Sequence, residues 1–299
     1  MTGLNERALK SRRRWLSRGR RHPGAAPILS VSSDPPPSPL DFGIEYSSNT
    51  SLIYKPGDPM DVIQTGAGEV PVLALHGIQG TRAAWLPGAR ELHDDARFVL
   101  PNLRGRGAAW RGACADDYTL ARYADDVAET VARHIGDGPY VLAGWSLGVS
   151  VALDYVTHRV GRLPRALVLV SGSPALCMTQ WFSARDERAL HDEIAAREVR
   201  LKLSEAADRQ AVAWTWQSIR TADHRPLLET IDLPTLIVHG SDDDDCPFQH
   251  ARWLADGLPR ARLVEIAGGG HTILTAHTAA LAEAMRTFLV EQAPILETP

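Results

Sequence analysis

Gly144-Trp145-Ser146-Leu147-Gly148 stands between two stretches of different periodicity. Tyr140-Val141-Leu142-Ala143 before it is a short, unbroken apolar run of strand type, and the residues from Leu147 to about Arg159 after it carry a helical pattern. A serine on a sharp strand-to-helix turn is pushed clear of the sheet, and a glycine on either side gives the turn room. The helix that follows points the positive end of its dipole at the site, which favours negative charge developing on a carbonyl oxygen. A serine hydroxyl is a poor nucleophile near neutral pH, so acyl chemistry at Ser146 needs a base within hydrogen-bond reach and an acid to orient that base. Two other places hold side chains of the right type: the run Asp242-Asp243-Asp244-Asp245, and His271 after Gly268-Gly269-Gly270.

The elements that must position these residues are legible as runs of Val, Ile and Leu alternating with helical patterns. Val70–Leu75, Arg97–Leu100, Tyr140–Ala143, Ala166–Val170, Thr235–Val238 and Arg262–Ile266 read as buried strands. Residues 42–54 are expected to add one or two leading strands. Thr119 is placed to cap a helix with Leu120, Tyr123, Ala124, Val127, Val131 and Ile135 on its apolar face and Gly136 as its stop. The last helix presents Leu281, Met285, Phe288 and Leu289. Strands without polar alternation, separated by helices, predict a mostly parallel sheet covered on both faces, an α/β fold. Residues 175–231 lack a strong strand and are too long for a plain connection, so they are expected to form a helical cap. The predicted organisation is an arm over 1–40, a core over 41–174 and 232–299, and the cap between.

With these motifs in place the chain resembles the α/β-hydrolase superfamily, of the cap-bearing serine carboxylesterase type, over roughly residues 42–292. Four motifs arrive in the family's order: His76-Gly77-Ile78-Gln79-Gly80 after an early strand, the serine turn, His239-Gly240-Ser241-Asp242-Asp243-Asp244-Asp245-Cys246-Pro247 after a late strand, and Gly268-Gly269-Gly270-His271 after the last. The resemblance implies Ser146 as nucleophile and His271 as its base. Among eleven histidines, His239 ends a strand, His277 lies in a helical stretch and His76 opens a loop, and none has the setting of His271. The family's acid follows Gly-x-x and precedes a proline by four residues, which points to Asp243, with Asp242 and Asp244 as alternatives. An acid after an earlier strand is also known in relatives, but that position reads Ser171-Gly172-Ser173-Pro174 and holds no carboxylate. By the same resemblance the backbone N–H groups of Ile78 and Leu147 form the oxyanion hole. Trp145, Trp181, Trp214 and Trp216 are offered as substrate-pocket residues, against the plainer reading that they pack the cap onto the body. One segment departs from the family's common Asp-x-Arg-Gly-His-Gly-x-Ser: here it is Asn102-Leu103-Arg104-Gly105-Arg106-Gly107-Ala108-Ala109.

Composition bounds the rest. The 299 residues are 44% hydrophobic and 23% charged, ordinary globular values that exclude a collagen-like or wholly disordered chain. No apolar run reaches the roughly 18 residues of a membrane span. Cys114, Cys177 and Cys246 lack metal-ligand spacing and suit a reducing compartment. Gly66-Ala67-Gly68 precedes a strand instead of following one, so it is a turn and not a dinucleotide fingerprint. Neither metal nor cofactor is therefore expected. Residues 1–40 hold eight Lys/Arg against Glu6 and Asp34, a charge of +6, which leaves −10 for the remainder. An acidic body argues against nucleic acid as its ligand. The arm contains Pro35-Pro36-Pro37-Ser38-Pro39, typical of an extended linker, and no residue in it specifies a partner. Ser11-Arg12-Arg13-Arg14-Trp15-Leu16 resembles a twin-arginine signal, but the polar Ser17–Pro23 replaces the apolar stretch such a signal needs, so a cytoplasmic location is expected.

The sequence thus predicts a serine hydrolase acting on a small-molecule ester or related acyl bond through an acyl-enzyme. Acyl transfer or perhydrolysis with the same triad, and a receptor-like homologue with little turnover, are the alternative readings.

Overall fold

The computed structural model describes residues 61–158, 160–203 and 205–296, together with the strand backbone at 29–31 and 53–54. The strands are β1 Leu29–Val31, β2 Ile53–Tyr54, β3 Val62–Thr65, β4 Val70–Leu75, β5 Ala96–Pro101, β6 Val141–Trp145, β7 Ala166–Val170, β8 Thr235–Gly240 and β9 Ala261–Ile266. They form one sheet in the order β1-β9-β8-β7-β6-β4-β5-β3-β2. Neighbours from β1 through to β5 are parallel, and β3 and β2 close the far edge antiparallel. This is the mostly parallel sheet that the unbroken apolar runs predict.

The helices are α1 Leu86–Glu91, α2 Leu120–Thr130, α3 Leu147–His158, α4 Glu187–Arg200, α5 Arg209–Ile219, α6 Gln249–Gly257, α7 Ile273–Ala276 and α8 Thr278–Leu296. Side chains alternate across the sheet, so each strand feeds two cores. In β4, Leu73 and Leu75 enter the core covered by α2, α3 and α6, while Val72 and Ala74 enter the one covered by α1, α7 and α8. Helix α2 begins where the sequence places it: the Thr119 hydroxyl accepts the Arg122 N–H at 3.3 Å. Past Thr130 the chain widens into one π-type turn over Val131–Ile135, and Gly136 ends it with a φ of +73°.

Two features differ from the sequence reading. Val62–Thr65 was not anticipated as a strand. It pairs with β5 from Val62↔Pro101 to Thr65↔Phe98, and at four residues it is too short to show a period. Leu29–Val31, placed by the sequence in the arm, instead pairs with β9 in the register Leu29↔Val264 to Val31↔Ile266. The outer edge of β9 offers unpaired N–H and C=O groups, and three extended residues are enough to satisfy them. The remaining readings for residues 1–40, and the leading strand expected before Ile53, lie outside the described residues. Among the described residues no helix is long and apolar enough to cross a membrane.

Between β7 and β8 the chain leaves the sheet and forms α4, α5 and a short helical turn at Arg225–Thr230. This excursion is fastened to the loops at the carboxyl ends of the strands. Gln79 donates from Nε2 to the Ile194 carbonyl at 2.8 Å, the Ala207 N–H donates to the Gln79 carbonyl at 2.9 Å, and the Asp208 N–H donates to the Gly105 carbonyl at 3.1 Å.

Candidate active site

β6 delivers Ser146 to the carboxyl edge of the sheet and α3 starts on the next residue. The turn between them is tight enough to force Ser146 to a φ of +56°. A non-glycine residue in that region carries about 1–3 kcal/mol of strain, so the surroundings must hold it. They do so through the Ser146 N–H, which donates to the Val170 carbonyl at 3.0 Å, and the Ser146 carbonyl, which accepts the Val149 N–H at 3.0 Å. The glycines have a steric reason. A Cβ on Gly144 would lie 2.3 Å from the Gly148 oxygen, and one on Gly148 would lie 2.5 Å from the Leu75 oxygen.

The Ser146 hydroxyl lies 2.9 Å from Nε2 of His271. On the other side of the ring, Nδ1 lies 3.0 Å from each carboxylate oxygen of Asp243. With Nδ1 protonated and donating to Asp243, Nε2 is left as acceptor for the serine O–H. All three residues are buried, at 1%, 4% and 4% exposure for Ser146, Asp243 and His271. Burial alone would raise the Asp243 pKa, but the hydrogen bond and charge of His271 outweigh it, and the carboxyl is held below its ordinary range. Asp243 Oδ1 also accepts the backbone N–H groups of Asp245 and Cys246, at 3.0 and 2.8 Å, which pins the turn. Asp242 and Asp244, the alternatives left open by the sequence, are exposed and face Ser241 and Arg200 respectively.

Ile78 follows the loop opened by His76. The His76 ring is fully buried and joins two loops: Nδ1 donates to the Gly77 carbonyl at 2.8 Å and Nε2 accepts the Leu103 N–H at 3.0 Å. Arg106, which stands where the family commonly has histidine, is also fully buried and braces the same loop by donating to the Ile78 carbonyl. Its other end donates to the Arg104 carbonyl and the Tyr123 hydroxyl. Arg104 pairs with Asp126 through Nε at 2.8 Å and Nη2 at 2.5 Å. The acid missing at Asn102 is supplied from elsewhere: Asp61 Oδ2 accepts the Asn102 side-chain N–H at 2.8 Å and the Ala108 N–H at 2.7 Å. The segment departs from the family pattern but keeps its loop-fixing function.

Ser146 and His271 open into a small cavity whose wall includes Ile78, Gln79, Trp145 and Arg197. Trp145 is the one tryptophan of the expected four that lines it. Its indole N–H donates to the His271 carbonyl at 3.0 Å and its ring centre lies 5.4 Å from that of His271. Of the other three expected pocket residues, Trp181, Trp214 and Trp216, none lines this cavity or the larger one beside it. Trp181 donates to the Asp245 carbonyl and packs against Trp216, which in turn meets the Phe182 edge, while Trp214 lies on Tyr118.

The sequence reading gave no role to Gln79 or Asp245 and did not single out Arg197. Arg197 and Arg200, one helical turn apart on α4, each take one oxygen of Asp245 at 2.7 Å. Asp245 Oδ2 stands 3.9 Å from Nε2 of His271. Burial would raise the Asp245 pKa, but the charges of His271, Arg197 and Arg200 outweigh it, so it stays ionised beside the imidazole. The i, i+3 spacing of the two arginines was the only available signal.

With this geometry established, comparison with known proteins is informative. The sequence profile of the Alpha/beta hydrolase family matches residues 72–284. The chain belongs to the alpha/beta hydrolase family. It is 28% identical to a pimeloyl-[acyl-carrier protein] methyl ester esterase of Nitrosomonas europaea over 239 residues, covering 70% of this chain and 91% of the relative. It is 25% identical to the putative carbamate hydrolase RutD of Serratia proteamaculans over 232 residues, covering 70% and 86%. An esterase from Exiguobacterium antarcticum has the same fold, with a TM-score of 0.67 and 22% identity over 77% of this chain and 95% of that one. Among the described residues no cluster of His, Cys, Asp and Glu is arranged to hold a metal.

Proposed function

We propose that the protein is a serine hydrolase that cleaves a carboxylic ester or related acyl bond, with Ser146, His271 and Asp243 as its triad. The observation that carries this reading is the unbroken hydrogen-bonded line from the Ser146 hydroxyl through both nitrogens of His271 to Asp243. The names of the relatives, an esterase and a carbamate hydrolase, agree with chemistry at an acyl carbonyl.

In the proposed cycle Ser146 Oγ attacks the carbonyl carbon while Nε2 of His271 takes its proton. The tetrahedral oxyanion is met by the N–H groups of Ile78 and Leu147. Neither donates to another group among the described residues, and Leu147 opens α3, where N–H groups have no helical acceptor. Collapse expels the alcohol, which takes the proton from His271, and leaves the acyl group on Ser146. Water then attacks with His271 as base, and the acid departs as the serine O–H is restored. Asp243 keeps Nδ1 protonated throughout, and the helices of 175–231 roof the site.

The test is labelling with a fluorophosphonate probe. Wild type is expected to react, Ser146→Ala not at all, and His271→Ala far more slowly, with turnover of a short-chain ester following the same order. A folded wild type that neither labels nor turns over would overturn the reading and favour a ligand-binding homologue.

A further inference from the structure

Among the described residues Arg197 is the one arginine or lysine in the wall of the cavity at Ser146. It is 6% exposed, so its guanidinium has almost no water to donate to. Three contacts fix it: Nη1 donates to Gln79 Oε1 at 2.6 Å, Nη2 donates to Asp245 Oδ2 at 2.7 Å, and the guanidinium carbon lies 5.7 Å from the centre of the Phe182 ring. An arginine facing a carboxylate ordinarily closes a two-pronged bond through Nε and one Nη. Here that bond is open, because the second Asp245 oxygen is taken by Arg200 at 2.7 Å. The Arg197 Nε is left buried without an acceptor. A buried donor of this kind is costly to leave unpaired, and Arg197 is part of the wall of the cavity that holds the nucleophile.

Resting on the serine-hydrolase reading, we propose that Arg197 recognises a second oxygen acceptor, a carboxylate or a carboxamide oxygen, at the far end of a short acyl chain whose carbonyl is attacked by Ser146. The acyl half belongs in this cavity because it stays bonded to Ser146 after the alcohol has left. The cavity is small, which favours a short acyl chain over a long one. The alcohol half has the larger neighbouring cavity, which shares Gly80, Trp145, Leu201 and Leu203 with the first. Exposed Lys202 and Glu205 in its wall open it to solvent, the route a leaving group needs. The preferred substrates are then half-esters or ester-amides of short dicarboxylic acids.

Three methyl esters of one length test this: monomethyl succinate, methyl succinamate and methyl butyrate. Wild type is expected to favour at least one oxygenated ester over butyrate by about tenfold or more in kcat/KM, the difference a charge-assisted hydrogen bond makes. Carboxylate preferred over amide assigns an anionic substrate, and the reverse a neutral one. Arg197→Met should abolish the preference and Arg197→Lys retain part of it. Asp245→Asn, which keeps Arg197 but removes a nearby anion, should shift the preference toward the carboxylate. Butyrate hydrolysed as well as both oxygenated esters by wild type would overturn the proposal whatever the variants do. A parallel measurement needs no turnover: in Ser146→Ala, succinate or succinamate should raise the melting temperature and butyrate should not. Equal shifts from all three would also overturn it. Failure of the hydrolase reading would appear separately, as absent fluorophosphonate labelling.

Discussion

Acid should destabilise this protein well before its carboxylates titrate, and His76 is the residue that makes the effect measurable. Its ring has no contact with water and is already committed at both nitrogens, to the Gly77 carbonyl and the Leu103 N–H. Burial first, and then the charge of Arg106, push its pKa from 6.5 to about 3. The unfolded chain takes up the proton near pH 6.5 and the folded protein refuses it until about pH 3. The stability due to this residue is therefore whole above pH 6.5 and declines as pH falls through the window between those values, by up to about 1.4 kcal/mol per pH unit. Between pH 7 and pH 5 the loss from this one ring comes to about 2 kcal/mol. Urea unfolding at the two pH values should show it against His76→Gln, whose amide oxygen can still accept the Leu103 N–H but does not titrate. His239 and His250, also pushed down by burial, contribute equally to both proteins and cancel in the comparison. Wild type should lose about 2 kcal/mol more than the variant. Equal losses would mean that the ring titrates alike in the folded and unfolded chain, and the burial argument would be wrong.

Two substitutions test the framework of the site. Gly148→Ala puts a Cβ 2.5 Å from the Leu75 carbonyl oxygen, a backbone atom that cannot swing aside. It should cost about 3 kcal/mol or more in urea unfolding and take the reactivity of Ser146 with it. Arg104→Met strands the Asp126 carboxylate, whose side chain is 10% exposed, and should cost about 3–5 kcal/mol, with part of the loss recovered when Asp126→Asn is added.

The central strands were legible because each is buried on both faces and so is written as a largely unbroken apolar run: Val70–Leu75, Ala166–Val170 and Thr235–Val238 need no context. The edge strands were not. Val62–Thr65 and Leu29–Val31 are held by backbone pairing at the sheet margins, and backbone groups leave no mark in residue type. The same division runs through the site. Ser146 announces itself because its turn demands glycines on both sides. Arg106 and Asp61 do not, because one is a different residue type from the histidine the resemblance implies and the other lies at a different position from the acid it implies. Arg106 occupies the common histidine position, and Asp61 supplies a carboxylate where Asn102 has none. The demand on that loop is for donors and acceptors in the right places, and more than one set of residues can meet it.

The four consecutive aspartates show how far local pattern can go. In the sequence only the spacing to Gly240 and Pro247 favours one of them, Asp243, and the default expectation for such a run is a solvated, self-repelling turn. The fold separates them by alternation: Asp242 and Asp244 point to solvent, Asp243 and Asp245 inward. The inward pair stand on either side of one imidazole, Asp243 at Nδ1 and Asp245 3.9 Å from Nε2, the nitrogen that faces Ser146. Two carboxylates around one ring would normally repel, and both are nevertheless held below the ordinary range. Arg197 and Arg200 make this possible by neutralising Asp245 from α4. Those arginines lie more than forty residues earlier in the chain, in a segment whose charge is close to balanced, so their i, i+3 spacing is the only mark they carry. The charge state of the candidate site is thus set jointly by the β8 turn and a helix outside the sheet, and separating the two by loosening α4 should disturb the site as surely as changing the site itself.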